Sequence, residues 1–272
     1  MSTDVRQSLD TLLATLKQKL ATPGQSLLPV LAAMGRFSKY SLSNQVLIFA
    51  QRPSATRVQG YQGWRKAGYQ VRKGEKGIMI YAPMRFRTDD ADSDHDAPRV
   101  GFRVTYVFDI TQVDPLDGAI DLPAPAAAAP LRALEELKAF LFGHNIELAY
   151  AALSGGCYGW TDGKRITCAL GLSSPVEFST LIHETTHALL HFPTDGAARP
   201  DVTTRETEAE AVAYLLCEQL GIPGHDISVD YIKAYRGTPN TLDASLERIR
   251  TTAARLTTEL AAVSFEPPEI PA

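Results

Sequence analysis

The 272-residue sequence predicts an α+β chain of two domains. Its length exceeds the roughly 100–200 residues of a common single domain. A Pro/Ala tract without periodicity, AIDLPAPAAAAP at 119–130, interrupts it as a linker would. The hydrophobic period also changes along the chain, from strand-like alternation between residues 77 and 110 to helical spacing after residue 174. The expected organisation is a mixed α/β domain at 1–118, a linker at 119–130, a mainly helical domain at 131–265 and a tail at 266–272.

Residues 4–21 place Val5, Leu9, Leu12, Leu13, Leu16 and Leu20 on one stripe at helical spacing. A second helical stretch follows Pro23-Gly24, and a third begins near Ser41–Asn44 and stops before Pro53. Gly60, Gly63, Gly68, Gly74 and Gly77 punctuate residues 55–87 into extended segments and turns. Strands are predicted from Gly77 to Phe86 and from Val100 to Ile110, where Phe102, Val104, Tyr106 and Phe108 alternate with Arg103 and Thr105. The acidic stretch DDADSDHDAP between them reads as a solvated hairpin excursion. Its Asp92, Asp94 and Asp96 lack the glycine and terminal glutamate of a calcium loop. Beyond the linker a helix is expected at Leu131–Phe142, then two extended pieces around Trp160-Thr161-Asp162-Gly163. Helices follow near 175–192, 203–220, 228–235 and 240–262.

A composition of 44% hydrophobic and 21% charged residues suits a folded globular chain. No apolar run approaches the roughly 20 residues needed to span a bilayer. The N-terminal stretch also lacks the continuous apolar core of a secretory signal. Cys157, Cys168 and Cys217 form no CxxC, so reduced thiols in a cytoplasm are expected. The net charge of −4 conceals an asymmetry: residues 1–88 hold 14 Lys/Arg against three Asp/Glu, a net +11, whereas the remainder holds 13 against 28, a net −15. One half is suited to a polyanion and the other is not.

His183-Glu184-Thr185-Thr186-His187 is the strongest motif. Ser174-Pro175-Val176-Glu177 reads as a capping box with proline at the first helical position, which places the motif on a helix. There His183 and His187 lie one turn apart on one face, where both imidazoles can hold one Zn²⁺, and Glu184 can act as general base on a bound water. A third ligand is sought on the next helix, whose core-facing stripe carries Glu206 and Glu210 among small and apolar residues. Carboxylates there are costly to bury unless a cation meets them. Glu206 is the expected ligand and Glu210 the expected partner orienting a ligand histidine. Two alternatives stand beside this: Glu206 as capping partner of Thr203, and Glu210 as the ligand itself. Glu208, about 200° around the helix from Glu206 at ~100° per residue, is expected to face solvent, and His191 to be a packing residue. Two histidines, one glutamate and an open fourth position point to peptide-bond hydrolysis.

In the basic half, Arg57, Arg65, Lys66, Arg72, Lys73 and Lys76 interleave with Tyr61 and Trp64. Cations neutralise phosphates and aromatic faces stack on unpaired bases, a combination that favours single-stranded DNA over duplex. A solvated basic face is the competing reading.

Residues 44–83, with the run QRPSATRV, the GYxxW step and the VRKGEKG turn, and FDITQVD at 108–114, resemble the N-terminal domain of the ArdC antirestriction family. HETTHALLH and RETEAEAVAYLLCEQLG resemble the metallopeptidase domain that ArdC proteins share with ImmA/IrrE-type peptidases. The resemblance implies an N-terminal domain that binds single-stranded DNA and a zincin-like (gluzincin) C-terminal domain, in a protein carried by plasmids or other mobile elements. It implies protection of incoming DNA from a host restriction system. It maps the metal ligands onto His183, His187 and Glu206 and the general base onto Glu184. The alternative role is a regulatory zinc peptidase that cleaves a specific protein and uses DNA for recruitment or activation.

Overall fold

The computed structural model describes residues 2–20, 27–86, 99–119, 130–193, 198–222 and 239–262. The expected acidic excursion at 89–98, the helix at 228–235, nearly all of the linker and the 266–272 tail lie outside the described residues. The chain is a mixed α+β fold whose contacts separate into two compact units, residues 1–17 with 39–122 and residues 18–38 with 123–272. Among the described residues, no helix is long and apolar enough to cross a membrane.

The first unit is built on a three-stranded antiparallel sheet in the order β1 (Val58–Gly60), β4 (Arg99–Asp109), β3 (Ile78–Phe86). The register Ile78↔Val107 puts Ile78, Ile80 and Val107 on one face, where all three are buried. Phe102 and Tyr106 lie on the opposite face and are each 50% exposed. The aromatic members of the alternation in β4 thus point to the surface at these two positions.

The outer edge of β3 is not left bare. Helix α3 (Leu42–Gln51), capped by Ser41 Oγ accepting from the Asn44 N–H, presents two amide side chains to it. Gln51 accepts from the Met79 N–H and donates to its carbonyl, and Asn44 does the same at Tyr81, all at 2.8–2.9 Å. Each amide imitates a strand residue, so the edge is satisfied without another strand. Asp10 of helix α1 (Ser2–Leu20) accepts from the Tyr81 hydroxyl at 2.6 Å.

A short helix, α4 (Tyr61–Lys66), stands where extended chain was expected. Its one turn carries Trp64 into a cluster with Val71 and Val113, flanked by Tyr69, Phe108 and Ile110. The indole N–H donates to the Phe108 carbonyl at 2.8 Å. A two-stranded ribbon of β2 (Tyr69–Val71) and β5 (Val113–Pro115) closes that cluster. Asp109, fully buried, caps the single turn Ile110–Gln112 and accepts from the backbone N–H groups of Thr56, Arg57 and Thr111.

The second unit holds a three-stranded sheet in the order β6 (Glu147–Ala151), β8 (Arg165–Ala169), β7 (Gly159–Thr161). Strand β6 pairs parallel to β8, and β7 antiparallel to it. Helix α5 (Pro130–Gly143) packs on α6 (Ser174–Leu190), α6 on α7 (Val202–Leu220), and α7 on α8 (Pro239–Ala262). Leu137, Leu141, Phe178, Leu181, Leu216 and Leu246 are fully buried among them.

Helix α2 (Leu28–Arg36), inside the 1–118 stretch read from the sequence as the first domain, makes its contacts within this second unit. The reason is apolar: Val30, Leu31 and Met34 are buried, and α2 packs against α7. The capping box expected at Ser174 is also replaced. Ser173 is the N-cap and bonds through its carbonyl to the Glu177 N–H, with no side-chain cap. The Glu177 carboxylate instead accepts from the Tyr150 hydroxyl at 2.6 Å and pairs with Lys138 at 3.2 Å, tying α6 to β6 and α5.

Candidate metal centre

Helix α6 places His183 and His187 one turn apart, with their Nε2 atoms 3.0 Å from each other. Glu206, in the first turns of α7, brings Oε2 to 3.4 Å from His183 Nε2 and 3.5 Å from His187 Nε2. The three donor atoms form a nearly equilateral triangle. Two ligands on a tetrahedral Zn²⁺ at ~2.0–2.1 Å stand about 3.3 Å apart, so the triangle has the size of one face of such an ion's coordination shell. Among the described residues these three are the group of His, Cys, Asp and Glu side chains that could hold a metal ion. A tetrahedral ion held by these three donors would keep a fourth position for water or substrate.

The N-cap of α7 is Asp201, which accepts from the Thr204 N–H at 3.0 Å. Thr203 therefore does not cap the helix, and Glu206 is free of that duty. Glu210 Oε2 lies 3.8 Å from His183 Nδ1, close enough for electrostatic attraction and too far for a hydrogen bond. Burial works against a charge on His183, but the Glu206 and Glu210 carboxylates outweigh it and hold the imidazole up to about 10. The same pairing holds Glu206 well below the usual carboxylate range, against the opposing effect of its burial. Protons and a divalent cation compete for one set of donors here.

Glu184 is 7% exposed, and burial pushes its carboxyl above the usual range. It lines a cavity of about 300 Å³ together with His183, Glu210, Tyr158, Gly159 and Cys157. Gly159 in β7 is required there: a Cβ would lie 2.8 Å from Thr180 Cγ2 and 3.1 Å from Glu184 Cγ. Glycine is what lets the strand lie against the general-base candidate.

Two expectations are corrected on the far side of the triangle. Glu208 does not face solvent; its side chain is fully buried. The angular arithmetic holds for a helix packed on one side, whereas α7 is packed against α6, α8 and α2. The Glu208 face meets α8, where Ser245 Oγ donates to it at 2.6 Å and Arg248 approaches it through two nitrogens. Nor is His191 simple packing. Its Nε2 lies 3.2 Å from Glu208 Oε2 and its Nδ1 lies 2.8 Å from His187 Nδ1. Burial lowers its pKa, the Glu208 carboxylate notwithstanding. The third histidine of HETTHALLH was the available signal, since a polar residue one turn past a ligand shares its helix face.

In the first unit the candidate DNA contacts divide. Arg65, Lys66, Lys73 and Lys76 are exposed, Arg57 is half-buried and Tyr61 is 40% exposed. Trp64 is fully buried, so stacking on a base, as expected from the sequence, is not open to it. Arg72 is occupied by Glu75 at 2.8 Å and Asp114 at 3.1 Å and also donates to the Thr111 carbonyl, which makes it a brace of the β2–β5 ribbon. Two exposed aromatics absent from the sequence-based set, Phe102 and Tyr106, offer their rings instead.

Residues 3–108 match the family model of the N-terminal domain of anti-restriction factor ArdC. This is an ArdC-like protein. The ArdC-like chain aligns with the Mn(II)-bound crystal structure of the antirestriction ArdC protein from R388 plasmid at a TM-score of 0.56 and 21% identity, over 95% of this chain and 98% of that one. The metal-free structure of the same protein aligns at 0.52 and 22%, over 80% of this chain and 84% of that one. At these identities the likeness is one of fold. An uncharacterised protein of Bacillus anthracis is 23% identical over 92% of the ArdC-like chain. The chain spans about half the length, 50%, of that relative.

Proposed function

We propose that this ArdC-like chain is an antirestriction protein that binds single-stranded DNA through its first unit and carries a zinc-dependent peptidase centre in its second. The donor triangle of His183, His187 and Glu206, with Glu184 buried beside it, is the observation that supports the peptidase chemistry. These residues would hold a divalent ion, read as Zn²⁺ from two imidazoles and one carboxylate. When bound, the ion polarises the scissile carbonyl and acidifies the attacking water. Glu184, kept in a water-poor wall and raised in pKa, takes the proton of the attacking water and passes it to the leaving amine. Glu210 supports His183 electrostatically. A protein substrate and a place in the cytoplasm of a plasmid-bearing host belong to the same proposal.

The nucleic-acid reading is supported by exposed rings and cations in one unit. Phe102, Tyr106 and Tyr61 are each at least 40% exposed, and Arg65, Lys66, Lys73, Lys76 and Arg103 meet no carboxylate among the described residues. Rings stack on unpaired bases without sequence preference, and cations follow the phosphates.

The test is anisotropy of a labelled oligothymidylate, single-stranded and then duplexed, across a salt series. It is run beside transformation of a restricting host with single-stranded plasmid. Tight, salt-steep single-strand binding with protection of the incoming DNA is the expected result. Equal affinity for duplex, or no binding at low salt, overturns the DNA half. Glu184→Gln, run in both assays and against labelled casein, separates the halves: DNA binding is expected to persist and cleavage to vanish.

A further inference from the structure

We propose that His191, Glu208 and Arg248 form a positioning relay that fixes the tautomer of His187 and ties the metal centre to helix α8. The proposal rests on the metal-binding reading above and adds three residues to it.

The argument is one of proton placement. Two Nδ1 atoms 2.8 Å apart, on His187 and His191, can form a hydrogen bond only if one carries the proton and the other a lone pair. The other nitrogen of His191, Nε2, is 3.2 Å from Glu208 Oε2. A carboxylate only accepts, so a His191 that carries one proton holds it on Nε2 and offers Nδ1 as the acceptor. The proton between the rings therefore belongs to His187 Nδ1. That leaves the His187 Nε2 lone pair facing His183 and Glu206, the state a metal ligand needs.

Glu208 can hold this position because it is itself held. Ser245 donates to Oε1 at 2.6 Å, and Arg248 Nε lies 3.0 Å from Oε1 and 3.1 Å from Oε2. These partners from α8 satisfy a carboxylate whose side chain is 0% exposed. The chain of contacts runs from α8 through α7 to the last turn of α6. Among the described residues His183 has no such relay; its Nδ1 has only Glu210, at 3.8 Å. The two imidazoles of one motif are thus held unequally, His187 rigidly and His183 by charge.

The experiment measures Zn²⁺ affinity of the full chain by competition with a chromophoric chelator, for the native protein, His191→Phe and His191→Asn. Long-range ¹H–¹⁵N spectra of the Zn²⁺-loaded native protein read the tautomers directly. His191→Phe is expected to weaken binding about 10–100-fold, the usual effect of losing the partner of a ligand histidine. His191→Asn keeps an acceptor in place of Nδ1 and is expected to lose less. The native spectrum is expected to show His191 protonated on Nε2. A folded His191→Phe with affinity within twofold of native overturns the relay, as does a native spectrum with the proton on His191 Nδ1. The spectrum decides alone if His191→Phe fails to fold. A native chain that binds no Zn²⁺ overturns the metal centre and the relay with it, so the two failures are distinct.

Discussion

In the second unit Arg132, Lys138, Arg165, Arg248, Arg250 and Arg255 each meet a carboxylate within the same unit. In the first, Arg65, Lys66, Lys73, Lys76 and Arg103 are exposed and meet none among the described residues. Its strongly paired cation, Arg72, braces the β2–β5 ribbon. Rings draw no such contrast: Phe102 and Tyr106 stand half exposed on the first unit's sheet, but Phe142, Tyr158 and Trp160 are exposed in the second unit. The second unit turns most of these charges on itself, Lys164 being an exposed exception, whereas several exposed cations of the first meet no carboxylate among the described residues. A site that must hold one ion needs the first arrangement, and a surface that must follow a flexible polyanion needs the second.

The largest effects are expected at the donor triangle. His183→Ala or His187→Ala should weaken Zn²⁺ binding by more than the ~100-fold reached by outer partners. Glu184→Gln should leave that affinity unchanged and lower casein cleavage by about 10²–10⁴-fold. Chelator competition and initial rates check both effects, and none of the three substitutions should alter oligothymidylate binding. A parallel loss of DNA affinity would break the division of labour between the units. The pH dependence has a definite sign: His183 is raised to about 10 by Glu206 and Glu210 in spite of its burial, so apparent metal affinity should fall as pH is lowered and the donors take protons instead.

Next come the internal supports of the first unit. Trp64→Ala removes a fully buried ring and should cost ~3–5 kcal/mol in urea unfolding. Its effect on DNA should appear only through unfolding, and weakened binding by a folded Trp64→Ala protein would return the indole to the interface. Asp109→Asn should cost about 1–3 kcal/mol by leaving amide donors unmatched. Burial raises the Asp109 pKa, but the Thr111 hydroxyl and the N–H groups of Thr56, Arg57 and Thr111 outweigh it, and the net shift is downward. Its contribution is therefore fully present above the unfolded value near ~3.9 and is lost as pH falls through the lower, folded one. Acid unfolding monitored at several pH values below 5 reads this directly.

What the sequence disclosed and what it withheld follow one physical line. The triangle was legible because His183 and His187 share one helix face, and because Glu206 interrupts an apolar stripe that must meet something cationic. Glu208 and His191 were not, because their partners Ser245 and Arg248 lie on α8, and no local periodicity reports a neighbour so distant in sequence. The strands β3 and β4 were legible by alternation, yet alternation does not say which face is the core. It is the burial of Ile78, Ile80 and Val107 that turns Phe102 and Tyr106 outward. Trp64 was misread for the converse reason: in a basic, aromatic stretch nothing local distinguishes a ring that closes a small core from one that awaits a base. Helix α2 groups with the second unit because its apolar face finds α7 only in three dimensions.

On the exposed rings the expected effects are moderate. Phe102→Ala and Tyr106→Ala should each cost ~1–3 kcal/mol of single-strand affinity per stacked base, with little change in stability. Titration of oligothymidylate at fixed salt checks this, with urea unfolding as control. Full affinity in the double variant would move the interface off this face of the sheet.

The smallest effects make the sharpest comparison, because they set like against like. Arg165 pairs with Glu147 across β8 and β6 at 2.8 Å, with side chains 50% and 60% exposed, so water and salt screen the attraction. Arg165→Met should therefore leave stability nearly unchanged, and DNA binding wholly so. Lys73→Met and Lys76→Met should be equally silent in unfolding, since neither meets a carboxylate among the described residues. Each should nevertheless flatten the log–log salt dependence of single-strand binding by about 0.7 for every phosphate that is no longer neutralised. If Arg165→Met flattened that slope too, the second unit would share the DNA surface, and the contrast between paired and unpaired cations would stop reporting function.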